Sequence, residues 1–287
     1  MTAIRKVRQA FHSVPTMEGA GVRLDRVFSH AETALFDPFL LLDDFRNDDP
    51  ADYLPGFPWH PHRGIETITY ILEGTVEHGD SLGNKGVIGV GDVQWMTAGS
   101  GIIHQEMPKG DARGRMGGFQ LWANLPAAQK MMAPRYRDVT AAQIPEAVSP
   151  SGARVRVIAG RVGDAWGPVR DVVIDPEYLD VALPPNVEWT HPTARGHTVF
   201  IYQIEGQGRF GPEAGEVRAE NGTALLFDDG DQVRAATGDD AARFLLVAGK
   251  PLREPIAWYG PIVMNTDEEL HVALDEFRRG TFIKHPR

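Results

Sequence analysis

Cysteine is absent from this chain. That excludes disulfides and thiolate metal sites, so any metal must be held by nitrogen and oxygen ligands. A basic surplus is missing too: 39 Asp and Glu outweigh 29 Lys and Arg, for a net charge of −10. Nucleic acid and anionic membrane both require a concentrated basic surface, so neither is expected as the main partner. No apolar run approaches the ~20 residues that span a bilayer. Met1 to Ala10 carries Arg5, Lys6 and Arg8 without an apolar stretch after them, and does not read as a secretory signal. A cytoplasmic location is the simplest expectation.

What is present is 287 residues, 42% of them hydrophobic and 24% charged, enough for one large core or two smaller ones. The 31 glycines and 21 prolines are scattered, and they punctuate many short apolar runs. This is the rhythm of an all-β sandwich or barrel. Strands are expected over 67–72, 87–90, 93–96 and 119–125. In the second half they are expected over 154–159, 172–174, 178–183, 197–204, 223–227 and 243–248. The stretch 145–152 mixes Pro, Ser and Gly, and predicts a boundary between domains at 1–145 and 153–287. The halves read as copies: Tyr70-Ile71-Leu72-Glu73-Gly74 matches Tyr202-Gln203-Ile204-Glu205-Gly206, and Gly91-Asp92-Val93 has a counterpart in Gly222-Thr223-Ala224. One helix is signalled near the C-terminus. Thr266 and Glu269 form a capping box, Arg278 and Arg279 suit the last turn, and Gly280 suits the position after it. Leu270, Leu274 and Phe277 give that helix an apolar stripe.

Two residue pairs carry chemistry: His60 with His62, and His104 with Glu106. One residue separates the members of each pair, so on a strand both point to the same face. Three imidazoles and a carboxylate converging on one point make a divalent transition-metal site. With 10 histidines in the chain, chance alone supplies about a third of an H-x-H pair, so neither pair is specific by itself. Together, with strand signals around them and Gly99-Ser100-Gly101 leading into His104, they are hard to obtain by accident. His60, His62, Ile68, Tyr70 and Leu72 share even parity, which predicts that the histidines face the barrel interior if the strand runs through. Glu66 and Glu106 are both within reach as the carboxylate, and spacing does not choose between them.

Several longer segments resemble the pirin family of the cupin superfamily. They are His60-Pro61-His62-Arg63-Gly64-Ile65-Glu66-Thr67, Glu77-His78 followed by Asp80-Ser81-Leu82-Gly83-Asn84, and Gly91-Asp92-Val93-Gln94-Trp95-Met96-Thr97-Ala98-Gly99. His104-Gln105-Glu106-Met107-Pro108, Asp37-Pro38-Phe39-Leu40-Leu41-Leu42-Asp43 and Tyr259-Gly260-Pro261 extend the match over nearly the whole chain. The resemblance implies an all-β bicupin: two antiparallel β-barrels, each a double-stranded β-helix, with a C-terminal helix. It implies that the first barrel holds Fe(II) through His60, His62, His104 and Glu106, choosing Glu106 over Glu66. Ni, Mn, Co, Cu or Zn are the alternatives for the same donors. It further implies a dioxygenase that opens a flavonol such as quercetin with O2, with Glu106 accepting the substrate's hydroxyl proton. The alternative is a regulatory protein that binds a transcription regulator or metabolic enzyme without turnover.

The second half lacks these ligands: Ala235 and Thr237 fall opposite His104 and Glu106, and His191 and His197 are wrongly spaced for H-x-H. The acidic group Asp43, Asp44, Asp48, Asp49 and Asp52 lacks calcium-loop spacing and reads as a solvated loop. His78, His30 and His12 have no sequence partner. Trp59, Trp95 and Trp122 are expected to pack the barrel, with Phe57 or Trp59 as pocket walls.

Overall fold

A computed structural model describes residues 2–285. The chain divides into two compact units, and neither is a continuous stretch. One comprises Val14–Thr33, Phe39–Ala141 and the segment from Leu252 onward; the other comprises the chain through Ser13, Ala34–Pro38 and Ala142–Pro251. The expected cut at 145–152 is therefore corrected at both ends of the sequence. Strand Val7–His12 pairs antiparallel with Thr223–Phe227, so its backbone groups are satisfied by the second unit. At the other end, the Val263 amide donates to the Arg63 carbonyl at 3.1 Å. The Arg63 guanidinium, 1% exposed, donates to the carbonyls of Ser100 and Phe282 at 2.7 and 2.8 Å and pairs with Glu276 at 2.8 Å. The C-terminal helix, Asp267–Arg278, thus docks on the first unit rather than on the second barrel.

Both units are antiparallel β structures of the cupin kind, and with the C-terminal helix they make an all-β bicupin. In the first unit a seven-stranded sheet is joined by a four-stranded sheet in which Phe57–His62, Ile102–Lys109, Thr75–Asp80 and Lys85–Ile88 lie side by side. Leu24, Ile71, Val76, Ile88 and Met116 form its apolar filling. In the second unit Trp189, Phe210 and Phe244 belong to the filling of the interior. There Trp189 pairs with Ala235 and His191 with Val233, just as His60 pairs with His104 and His62 with Ile102 in the first unit. The duplication is legible in that register, with Trp189 and Ala235 where the first unit has two histidines. Among the described residues no helix is long and apolar enough to cross a membrane.

The expected strand at 172–174 is a turn. Asp171 and Asp175, on either side, have φ of 60° and 47°, which an extended strand cannot hold. The helix caps as expected: Thr266 Oγ1 accepts from the Glu269 amide, and Glu269 accepts from the Thr266 amide, both at 3.2 Å. Its buried face is Leu270 and Ala273, whereas Phe277 is 41% exposed.

The parity expectation also needs correction. Phe57–His62 and Ile65–Glu73 are separate strands in different sheets, divided by a corner at Gly64 with φ of 79°. A Cβ at Gly64 would lie 1.9 Å from the Val263 carbonyl oxygen, so only glycine fits there. Beyond the corner the odd residues face the site. Thr69 reaches Glu106, and Ile71 packs with Val76 and Ile88.

Candidate metal centre

Strand pairing assembles the histidines. His60 lies directly opposite His104, and His62 opposite Ile102. The three ring centroids are 4.4–4.9 Å apart, and one nitrogen from each ring lies within 4.8 Å of the others. Among the described residues this is the group whose donors could hold an ion. His62 and His104 are buried, and burial together with the neighbouring imidazoles holds both pKa values well below the ordinary histidine value. They are neutral, the form that ligates a metal.

The orientation of the rings is more telling than their proximity. His60 Nδ1 lies 2.8 Å from the Pro58 carbonyl oxygen, and His62 Nδ1 lies 3.1 Å from that of Pro261. Each carbonyl accepts a hydrogen bond from its Nδ1–H, the tautomer that leaves Nε2 with the lone pair. Yet those two Nε2 atoms face each other at 3.1 Å. His104 Nε2 is buried with no hydrogen-bond partner. Two lone pairs face to face, with a third, partnerless imidazole nitrogen close by, are unfavourable unless a cation lies between them, so the donor set fits a divalent metal.

Glu106 is not part of this nitrogen cluster. A bulge between His104 and Glu106 sets Glu106 opposite Phe57. Its carboxylate accepts from Thr69 Oγ1 at 3.1 Å and from Gln120 Nε2 at 2.9 Å, and the Gln120 carbonyl accepts from the Trp122 indole at 2.9 Å. It lines the same cavity as His60 and His62. Glu66, the rival carboxylate, lies beyond the Gly64 corner and accepts from the Trp95 indole and the Thr97 hydroxyl. Burial raises its pKa.

The cavity has a volume of about 420 Å³, within the ~300–1,000 Å³ range of small-molecule sites. Trp122 meets His62 edge-on at 5.1 Å and lies 5.9 Å from Trp258, which stacks on His30 at 3.6 Å. Opposite chemistry comes from Arg26, which grips Asp43 through two 2.8 Å hydrogen bonds and Glu18 through a third. Sequence reasoning missed His30, Trp258 and Arg26 as wall residues. They come from segments distant in sequence, and no local spacing marks them.

Other expectations shift. Trp59 is 53% exposed, so it packs no core, while Phe57 does line the cavity. Asp43 and Asp44 are buried in strand Phe39–Asp44 and paired with Arg26 and Arg46, not solvated. Asp49 caps a short helix by accepting from the Ala51 amide. His78 does have a partner, the Tyr136 hydroxyl, with the rings stacked at 5.0 Å.

Fold and site thus define a bicupin with a histidine-lined pocket in one of its two units. A family model described as Pirin matches residues 21–123, and one described as Pirin C-terminal cupin domain matches residues 178–283. The chain is 47% identical to a pirin-like protein of Caulobacter vibrioides over 97% of this chain and 99% of that relative. The chain belongs to the pirin family. Among solved structures, a quercetin 2,3-dioxygenase from Acinetobacter baumannii matches with a TM-score of 0.89 at 34% identity, covering 98% of this chain and 99% of that one. A bacterial pirin from Escherichia coli, solved in complex with nickel(II), matches with a TM-score of 0.63 at 27% identity over 88% of this chain and 99% of that one.

Proposed function

We propose that this protein is a metal-dependent dioxygenase that opens the heterocycle of a flavonol such as quercetin with O2, releasing carbon monoxide. His60, His62 and His104 would hold the metal, Fe(II) by preference, with Glu106 as the fourth ligand. The observation that carries the reading is the convergence of nitrogens from three imidazoles, two of which, those of His60 and His62, line an aromatic-walled cavity. The likeness to the Acinetobacter dioxygenase supports the substrate class, and the nickel-bound Escherichia coli pirin supports a metal in a protein of this family.

When bound, the metal supplies Lewis acidity that favours the ionised form of a substrate hydroxyl. The chain's residues do the rest. Glu106 sits at the wall with its oxygens on Thr69 and Gln120, placed to accept the proton that the hydroxyl gives up. Trp122 and Trp258 offer flat faces for an aromatic ring system and exclude water from it. Arg26 with Asp43 provides a polar wall that can orient phenolic hydroxyls. The test is anaerobically iron-loaded protein mixed with quercetin and then oxygen. Loss of the flavonol with stoichiometric carbon monoxide is expected. Loaded metal with neither change contradicts the reading and favours a regulatory role instead.

A further inference from the structure

In the seven-stranded sheet, Val14–Glu18 is the outermost strand and Val22–Phe28 is its neighbour. Each supplies one charged residue, Glu18 and Arg26, to the wall of the cavity that His60 and His62 also line. The turn between these strands is fixed to the start of the histidine-bearing strand. The Ala20 amide donates to the Gly56 carbonyl at 3.0 Å. Gly19, at φ of 57°, has no room for a side chain, since a Cβ would lie 2.6 Å from the Gly56 oxygen and 2.7 Å from the Phe57 ring. Glu18 and Arg26 therefore keep a set position relative to the strand that carries His60.

The hydrogen bonds of Arg26 leave part of it open. Asp43, with a side chain 9% exposed, accepts from Nε and from Nη2, each at 2.8 Å. Glu18 Oε1 accepts from Nη1 at 2.8 Å. An arginine carries five N–H donors, so one on each terminal nitrogen is not engaged in these three bonds. Glu18 Oε2 accepts no hydrogen bond among the described residues, and that side chain is 42% exposed. The wall thus sets an open acceptor beside open donors, joined by one hydrogen bond, while the buried Asp43 grips the other edge of the guanidinium. Two carboxylates also outnumber one guanidinium here, so an anionic ligand group meets a net negative wall.

We infer that Glu18 and Arg26 recognise a vicinal pair of aromatic hydroxyls, and so select substrates that carry a catechol ring. One hydroxyl donates to Glu18 Oε2 and the other accepts from the guanidinium. Each hydroxyl can donate and accept, and two on adjacent ring carbons stand side by side as the carboxylate and guanidinium do. A lone hydroxyl satisfies only one of the two partners. The inference deepens the flavonol reading of this cavity and rests on it: the hydroxyl that meets the metal and the pair that meets Glu18 and Arg26 belong to different rings of one molecule. Both residues are specificity determinants here, with no part in the reaction itself.

Zinc-loaded protein without oxygen separates binding from turnover. Quercetin has two adjacent hydroxyls on its pendant ring, and kaempferol lacks one of them but is otherwise the same. Isothermal titration should show the wild type binding quercetin at least about tenfold more tightly than kaempferol, the worth of one hydrogen bond to a charged group. In Glu18→Ala the two affinities should come within about twofold of each other. A crystal structure of the zinc-loaded wild type with quercetin should place the two adjacent hydroxyls within hydrogen-bond distance of Glu18 and Arg26. Equal affinities in the wild type overturn the assignment. So does a preference that survives in Glu18→Ala, which would put the catechol on the metal instead. No binding of either flavonol at full zinc loading overturns the assignment together with the flavonol reading. A preference that Glu18→Ala abolishes, with no oxygen-dependent loss of quercetin by iron-loaded wild type, removes the dioxygenase reading and leaves the recognition standing.

Discussion

Arg63 ties the metal-bearing strand to the C-terminal helix, and replacing it with methionine tests that connection. The side chain is 2% exposed and makes three polar contacts of 2.7–2.8 Å, to Ser100 O, Phe282 O and Glu276. Its guanidinium also lies 4.2 Å from the Phe282 ring centroid. Burial lowers the guanidinium pKa, and the pairing with Glu276 opposes that. Removing one member of a buried ion pair costs about 3–5 kcal/mol, mostly for the group left behind. Here Glu276 is 22% exposed and keeps Lys284 at 2.6 Å, so its share is reduced. The two carbonyls each lose a donor, at about 1–3 kcal/mol apiece, and methionine restores some apolar contact. The net expectation for Arg63→Met is a loss of about 3–4 kcal/mol. Glu276→Gln, which leaves both carbonyl bonds intact, should cost less. Urea denaturation gives the stability, and hydrogen exchange at the Asp267–Arg278 amides locates the damage. Because Arg63 follows His62, whose Nδ1 bonds to Pro261 in the same C-terminal segment, metal affinity should fall as well. A loss under ~1 kcal/mol with unchanged helix exchange would refute this coupling.

Three further outcomes follow from particular contacts. Gly64→Ala should destabilise by more than ~3 kcal/mol in chemical denaturation, since its Cβ would meet the Val263 oxygen at 1.9 Å and the residue has φ of 79°; a near-neutral result means the corner is not built as described. Glu66 has a folded pKa raised by burial, so it binds its proton more tightly folded than unfolded, and its contribution to stability is lost as pH rises from about 4.5 through the folded value. Glu66→Gln should therefore gain in melting temperature relative to wild type at pH 7 compared with pH 4, and the opposite trend counts against a buried charge there. Gln120→Leu removes the amide that holds Glu106 and the acceptor for Trp122, so metal affinity by isothermal titration should weaken about tenfold; unchanged affinity would place Glu106 outside the coordination sphere.

The parts of the fold that sequence made legible are those with local causes. Arg154–Ala159 and Thr223–Phe227 fall where apolar runs between turn residues predict them, and the capping box at Thr266 forms as spelled. The pair His60 and His62 is legible because i, i+2 spacing on a strand is a local geometric fact, whereas His104 joins it through the pairing of two strands. What was not legible depends on distant pairing. Nothing in Val7–His12 announces that its partner is Thr223–Phe227, and nothing in Tyr259-Gly260-Pro261 announces that a carbonyl there holds His62. Parity failed at one residue, Gly64, because a corner resets which face is inward. Glu106 illustrates a finer limit. Its spacing from His104 suits a shared face, but the bulge facing Phe57 and the hydrogen bonds from Thr69 and Gln120 set its carboxylate apart from the imidazoles.

The central claim is that three imidazoles bind one metal ion. Anomalous diffraction at the iron edge, on crystals of protein loaded with Fe(II) without oxygen, tests it most directly. One peak per chain is expected about 2.1 Å from the Nε2 atoms of His60, His62 and His104, and none in His62→Ala. No peak at that point at full metal loading, or a peak that survives His62→Ala, would contradict it.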